Sequence, residues 1–194
     1  MTKSVFTFVL FLFFATALSA QDSDAMVSSI TTFNNTVNAD IASEKLFSHR
    51  ITLNTESSKV KFWGKMNKYT ENATCYFELK DGGIVLRKVI ILADITDRQS
   101  YTDILFDAEG NPSMFFYTNN TKNPNAQNER YYYGARKLIF FSASRNTIDG
   151  AVSDTYDETN FETKHINDGL SNYAKAENYK KLFDALVKVQ MSPY

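Results

Sequence analysis

Apolar residues recur along this chain with two periods, and the switch between them divides it into helix, strands and helix. Met26, Ile30, Phe33 and Val37 follow one another at spacings of four, three and four, the stripe of a short amphipathic helix that Ser23 or Asp24 can cap. The other positions of that helix are mostly Ser, Thr and Asn, so it gains little stability alone and must dock. From Phe47 to Leu53 the period becomes two, with Phe47, His49, Ile51 and Leu53 on one face of a half-buried strand. In KVKFWGKM, Val60 and Phe62 oppose Lys59, Lys61, Trp63 and Lys65, which predicts a wet face around Trp63. Tyr69 to Thr74 reads as a polar turn. Cys75 to Leu79 and Ile84 to Leu92 then flank Asp81-Gly82-Gly83, a hairpin signal because these residues tolerate positive φ. The second arm, IVLRKVIIL, is β-branched and strongly apolar, which places it at the centre of a sheet. Arg87 and Lys88 interrupt it and predict that one end leaves the core.

The densest pattern lies between Tyr101 and Ser144. YTDILFDAEGNPSMFFYT and ERYYYGARKLIFFSAS align on their glycines, so that Gly110 matches Gly134, Met114 matches Leu138 and Phe116 matches Phe140. Each unit is an apolar strand, a turn and a second apolar strand, together a β-meander. Pro112 is confined to the turn or a strand start, where no ladder hydrogen bond is lost. Between the units lies NNTKNPNAQN, a loop with five asparagines that exceeds the usual hairpin length and is expected to be mobile or specialised. Arg145 to Asn167 reads as an irregular acidic region. A last helix runs from about Asp168 to Gln190, with Tyr173, Ala176, Tyr179, Phe183 and Leu186 along a stripe broadened by Leu182 and Val189.

The element order is therefore helix, six to eight antiparallel strands, helix. The expected fold is α+β, with an N-terminal and a C-terminal amphipathic helix on one face of an antiparallel meander. A second arrangement stays open, in which each helix covers its own face.

The first twenty residues change the picture. Lys3, the apolar run Val5 to Leu18 and the small residues Ser19 and Ala20 make a secretory signal peptide, cut after Ala20 or after Ser19. The apolar run is short of the about 20 residues that a helical span needs, and no longer run follows. The expectation is a leader at 1–20, a single α+β domain at 21–194, no transmembrane span after cleavage, and a periplasmic or secreted location. The single Cys75 cannot form an internal disulfide, and its strand setting predicts burial. A net charge of −1 with both signs interspersed argues against a nucleic-acid surface.

ILFDAEGNPSMFFY and ERYYYGARKLIFF resemble paired strands of uncharacterised exported bacterial proteins, and the arrangement is similar to PepSY-like and β-lactamase-inhibitor-protein-like domains, in which a helix crosses an antiparallel meander. The resemblance covers about Gly83 to Ser144. It implies a protein-binding or inhibitory role and no catalytic residues. The C-terminal helix and the acidic region depart from that pattern.

No HExxH, paired-cysteine, GxSxG, Walker or GxGxxG spacing is present, so no cofactor, catalytic residue or metal site is expected. His49 and His165 are the only histidines. DGAVSDTYDETNFE offers carboxylates for calcium but lacks EF-hand spacing, which favours a solvated loop. Sequons at Asn34, Asn72 and Asn119 accept glycans only in a glycosylating host. Consecutive Tyr131, Tyr132 and Tyr133 must alternate faces, so rings left uncovered would form an aromatic binding patch. The candidate contact residues are Trp63, Phe115, Tyr117 and Tyr132, with Asn119, Asn120 and Asn123 of the loop. The expected function is non-enzymatic binding of a protein or envelope partner. The alternative is a small apolar-ligand carrier or an enzyme with its pocket between sheet and helix, using polar groups such as His49 or Arg87.

Overall fold

The computed structural model describes residues 3–54, 59–62, 65–96, 98–123, 126–146 and 152–191. Its chain order is α1 (Lys3–Ala42), β1 (Phe47–Leu53), β2 (Lys59–Phe62), β3 (Lys65–Lys80), β4 (Gly83–Ile95), β5 (Arg98–Phe106), β6 (Pro112–Thr118), β7 (Gln127–Gly134), β8 (Lys137–Asn146), β9 (Val152–Glu158) and α2 (Thr163–Met191). The strands form one antiparallel sheet in the order β1-β3-β4-β5-β6-β7-β8-β9, and β2 pairs with the start of β3. This is the α+β meander with a helix at each end.

The two helices lie on opposite faces, not on one. Phe115 pairs with Tyr131 and Met114 with Tyr132, so neighbouring residues on β6 and β7 enter different cores. Phe115 and Tyr131 join Val89, Ile91, Ile104 and Phe141 beneath Ala176, Tyr179 and Phe183 of α2. Met114 and Tyr132 join Leu105 beneath Val37 of α1, with Val27, Ile30, Phe33 and Ile41 packed around them. A sheet with aromatic rings on both faces needs two covers, and the amphipathic stripe of each helix supplies one. Burying a ring such as Phe183, 1% exposed, contributes about 1.5–3 kcal/mol.

Several local expectations give way to longer strands. Tyr69 to Thr74 is not a turn but the middle of β3, where Glu71, Ala73 and Cys75 are buried in alternation with half-buried Thr70, Asn72 and Thr74. Part of the acidic region is the strand β9, paired to β8; Asp149 lies outside the described residues. Helix α1 also passes through Ser23 and Asp24 without starting there.

Arg87 and Lys88 do not carry β4 out of the core: they are 6% and 0% exposed. The register with β3 shifts between Tyr76 and Phe77, so Tyr76 faces Lys88 and Phe77 faces Leu86, leaving Arg87 as the extra residue of a bulge. Lys88 reaches toward α1, where its Nζ donates to Asn34 Oδ1 at 2.8 Å, Asn38 Oδ1 at 2.6 Å and Asp103 Oδ2 at 2.8 Å. Arg87 donates to Glu78 and to the Asp107 carbonyl, and its guanidinium lies 5.8 Å from the Phe33 ring.

The turns follow their sequence signals. Asp81 and Gly82 take φ of 53° and 76° between β3 and β4. Asp107 Oδ1 accepts the amides of Glu109 at 3.0 Å and Asn111 at 2.7 Å, and Pro112 opens β6. A Cβ at Gly134 would meet Met26 Sδ of α1 at 2.5 Å, so that side chain would have to shift. Among the described residues no helix is long and apolar enough to cross a membrane.

Candidate functional site beneath the C-terminal helix

A groove of about 370 Å³ lies between α2 and the β6–β7 pair, lined by Phe115, Tyr117, Glu129, Tyr131, Asp168, Ser171, Asn172 and Lys175. Strand alternation builds its floor. Tyr117 pairs with Glu129 as Phe115 pairs with Tyr131, so all four side chains share the α2 face. Helix spacing builds its wall, since Asp168, Ser171, Asn172 and Lys175 fall on one side of α2. The rings of Phe115 and Tyr131 meet edge to face at 6.5 Å, and Tyr131 also packs on Phe141 at 4.9 Å, which fixes the floor.

One carboxylate of the groove holds the Tyr131 hydroxyl. That hydroxyl donates to Glu129 Oε2 at 3.0 Å, and Gln127 Nε2 donates to Glu129 Oε1 at 3.1 Å. Burial raises the Tyr131 pKa, and the negative charges of Glu129 and Asp168 raise it further. Burial likewise raises that of Tyr117, with Glu129 adding to the shift and Arg98 opposing it. Neither Glu129 nor Asp168 takes part in an ion pair among the described residues, where the pairs are Lys45–Asp40, Arg87–Glu78 and Lys88–Asp103.

Lys175 closes the other end and answers to a different acid. Burial lowers its pKa while Glu71 opposes that shift. Glu71 is 4% exposed, burial raises its pKa, and Lys175 opposes the rise. The Tyr69 hydroxyl donates to Glu71 Oε2, and among the described residues Glu71 Oε1 has no partner.

The sequence-predicted contact residues separate in space. Phe115 is 2% exposed and Tyr117 half-buried on the α2 face, whereas Tyr132, 7% exposed, lies under α1 against Phe140 at 5.7 Å. The three therefore do not form one bare patch, because interstrand register sends Tyr132 to the other core. Trp63 lies outside the described residues. Asn119, Asn120 and Asn123 belong to a built loop. Lys122 N donates to Asn120 Oδ1 at 3.1 Å, Asn123 N to the Asn120 carbonyl at 3.1 Å, and Thr121 N to the Gln99 carbonyl at 2.7 Å. Tyr117 stands one residue from the end of β6 and Glu129 two residues from the start of β7, the strand ends that carry this loop, so it borders the groove.

Glu129, Asp168, Ser171, Asn172 and Lys175 are the groove residues that the sequence pattern did not single out. The available signal was the polar row at 168, 171, 172 and 175, one helical face running beside the apolar stripe. His49 is half-buried in β1, and His165 stacks on Phe141 at 4.1 Å. Cys75 is fully buried, and burial pushes its thiol up to about 12, so it is no nucleophile in the folded chain. Among the described residues no three His, Cys, Asp or Glu side chains converge to hold a metal ion.

A larger cleft of about 540 Å³ sits at the far end of the same strands, between Met26 and Ile30 of α1 and the Ala135–Arg136 turn. Its charged lining groups, Asp107 and Arg136, are of opposite sign, unlike the acidic pair at Glu129 and Asp168. No family model, no curated protein and no solved structure matches the chain.

Proposed function

We propose that this chain is an exported, non-enzymatic binding domain that holds its partner in the groove beneath α2. The observation that carries the reading is the convergence of an aromatic floor, two carboxylates and an amine in an open groove between rigid elements. Groups held on strands and helices keep their geometry without induced ordering, which favours binding. The leader pattern at 1–20 supports export, and the resemblance to helix-on-meander inhibitory domains agrees with a protein partner. The buried, protonated thiol of Cys75 adds no chemistry to the site.

The test is to fill the groove. Ser171 is exposed on α2, so Ser171→Trp should block the groove and leave the fold intact. Immobilised wild-type protein is expected to retain an envelope component that S171W releases. Equal retention by both, or none above background, removes the reading.

The carrier reading keeps one specific support. A recess of about 260 Å³ beside α2 is lined largely by Leu138, Phe161, Ile166, Leu170 and Tyr173, and Ile166 and Leu170 are 42% and 61% exposed. A small apolar ligand would find cover there. Arg87, by contrast, is engaged with Glu78 and Asp107 on the α1 side.

A further inference from the structure

We infer that the groove beneath α2 recognises an organic cation, an alkylammonium group on an aliphatic stem, held between Glu129 and Asp168 over the Tyr117 ring. The inference rests on the groove being the ligand site and adds the sign and shape of what it takes.

Three observations converge. First, the two carboxylates come from different elements, β7 and α2, yet both line one groove, where Glu129 accepts the Tyr131 hydroxyl at 3.0 Å. A ligand in that groove meets both. Second, neither has a cationic partner among the described residues, although three other carboxylates of the protein do. The one amine of the groove is Lys175, whose charged form is disfavoured first by burial, with Glu71 opposing that shift. Third, Tyr117 supplies an aromatic ring beside the acids, backed by the buried rings of Phe115 and Tyr131. A ring face attracts a cation most strongly where water is partly excluded, and Tyr117 is half-buried. An anion fits poorly, because the groove brings two carboxylates against one amine.

The same chemistry has two sources, a free polyamine or a lysyl side chain of a partner. Groove size admits either as an extended aminoalkyl chain.

The experiment is calorimetric titration of the full chain with cadaverine, with Nα-acetyl-lysine amide, and with their N-acetylated analogues as neutral controls. Both amines are expected to bind and the acetylated forms to fail. Each of Glu129→Gln and Asp168→Asn is expected to weaken binding about tenfold, as loss of a charged hydrogen-bond partner does, and added salt to weaken it too. Both variants keep side-chain shape, and an unchanged unfolding midpoint checks that they fold. Preference for cadaverine identifies a free amine, and preference for the lysine amide identifies a partner's side chain. Binding by neither amine, or equal binding of the acetylated analogues, overturns the inference. Acetate binding lost in Lys175→Met would overturn it while leaving the groove a ligand site. If no probe binds and S171W retains everything that the wild-type protein retains, the groove itself is removed.

Discussion

Beneath α2 the sheet presents Val89, Ile91, Ile104, Phe106, Phe115, Tyr131 and Phe141, a broad apolar surface that Ala176, Tyr179 and Phe183 close. Beneath α1 it presents Leu105, Met114 and Tyr132, a smaller surface that surrounds a buried charge, Lys88, shared among Asp103, Asn34 and Asn38. Apolar contact is tolerant of sliding, whereas a buried ammonium with three acceptors accepts one arrangement only. Helix α2 thus serves stability and α1 register. The same difference explains why the open groove lies along α2: a helix held by a wide apolar stripe can leave one flank polar and unfilled.

The largest expected effect tests the α2 side. Phe183→Ala empties a fully buried site and should cost about 3–5 kcal/mol in denaturant unfolding. Cys75 reports the same face. Its buried thiol, raised to about 12, should resist a thiol reagent in the wild-type protein and react faster in F183A as α2 lifts. Equal labelling rates would contradict α2 as the cover of that face.

Next comes the α1 anchor. Asp103→Ala leaves Lys88 buried without its counter-charge and should cost about 3 kcal/mol, while the double variant Lys88→Met with Asp103→Leu recovers most of that loss. Cys75 should stay protected in D103A, because it lies beneath the other helix. A double variant no more stable than D103A would show that the polar anchor adds stability and not only specificity.

A smaller effect follows from Glu71. Burial raises its carboxyl above the ordinary value, so the folded state holds that proton more tightly than the unfolded chain. Its contribution to stability is present below the ordinary carboxylate pKa and is lost as pH rises through the raised one. Glu71→Gln removes this slope, so the variant should gain on the wild-type protein between acid and neutral pH. A constant difference across that window would place Glu71 in a more solvated setting. The smallest effect belongs to Leu79, 61% exposed, where Leu79→Ser should change stability by no more than about 0.5 kcal/mol.

Much of the fold was legible from period alone. The hairpin at Asp81 and Gly82, the turn from Asp107 to Asn111, Pro112 at a strand start and the stripe of α2 all carry local signals. The start of β3 was not legible, because its inward side chains are Tyr69, Glu71 and Ala73, which do not read as an apolar face. The bulge at Arg87 was hidden for the same reason, since two consecutive basic residues suggest an exit until a second layer receives them. Facing was the harder problem. Sequence parity separates Tyr132 from Tyr131 and Tyr133, but only the pairing of Phe115 with Tyr131 tells which of them shares a face with Phe115. The groove combined two signals that sit far apart in sequence, Glu129 on a strand and Asp168 on a helix, and no local pattern joins them.

The strand order has a consequence in time. From β3 to β9 every strand pairs with the one that precedes it in the chain, so each hairpin can form as soon as its second arm exists, and loop closure stays short. Helix α1 has no such neighbour. Lys88 bonds to Asn34 across 54 residues of sequence, and Tyr132 of its cluster arrives later still. Helix α1 is therefore expected to dock late, since its face is complete only once β7 has joined the sheet.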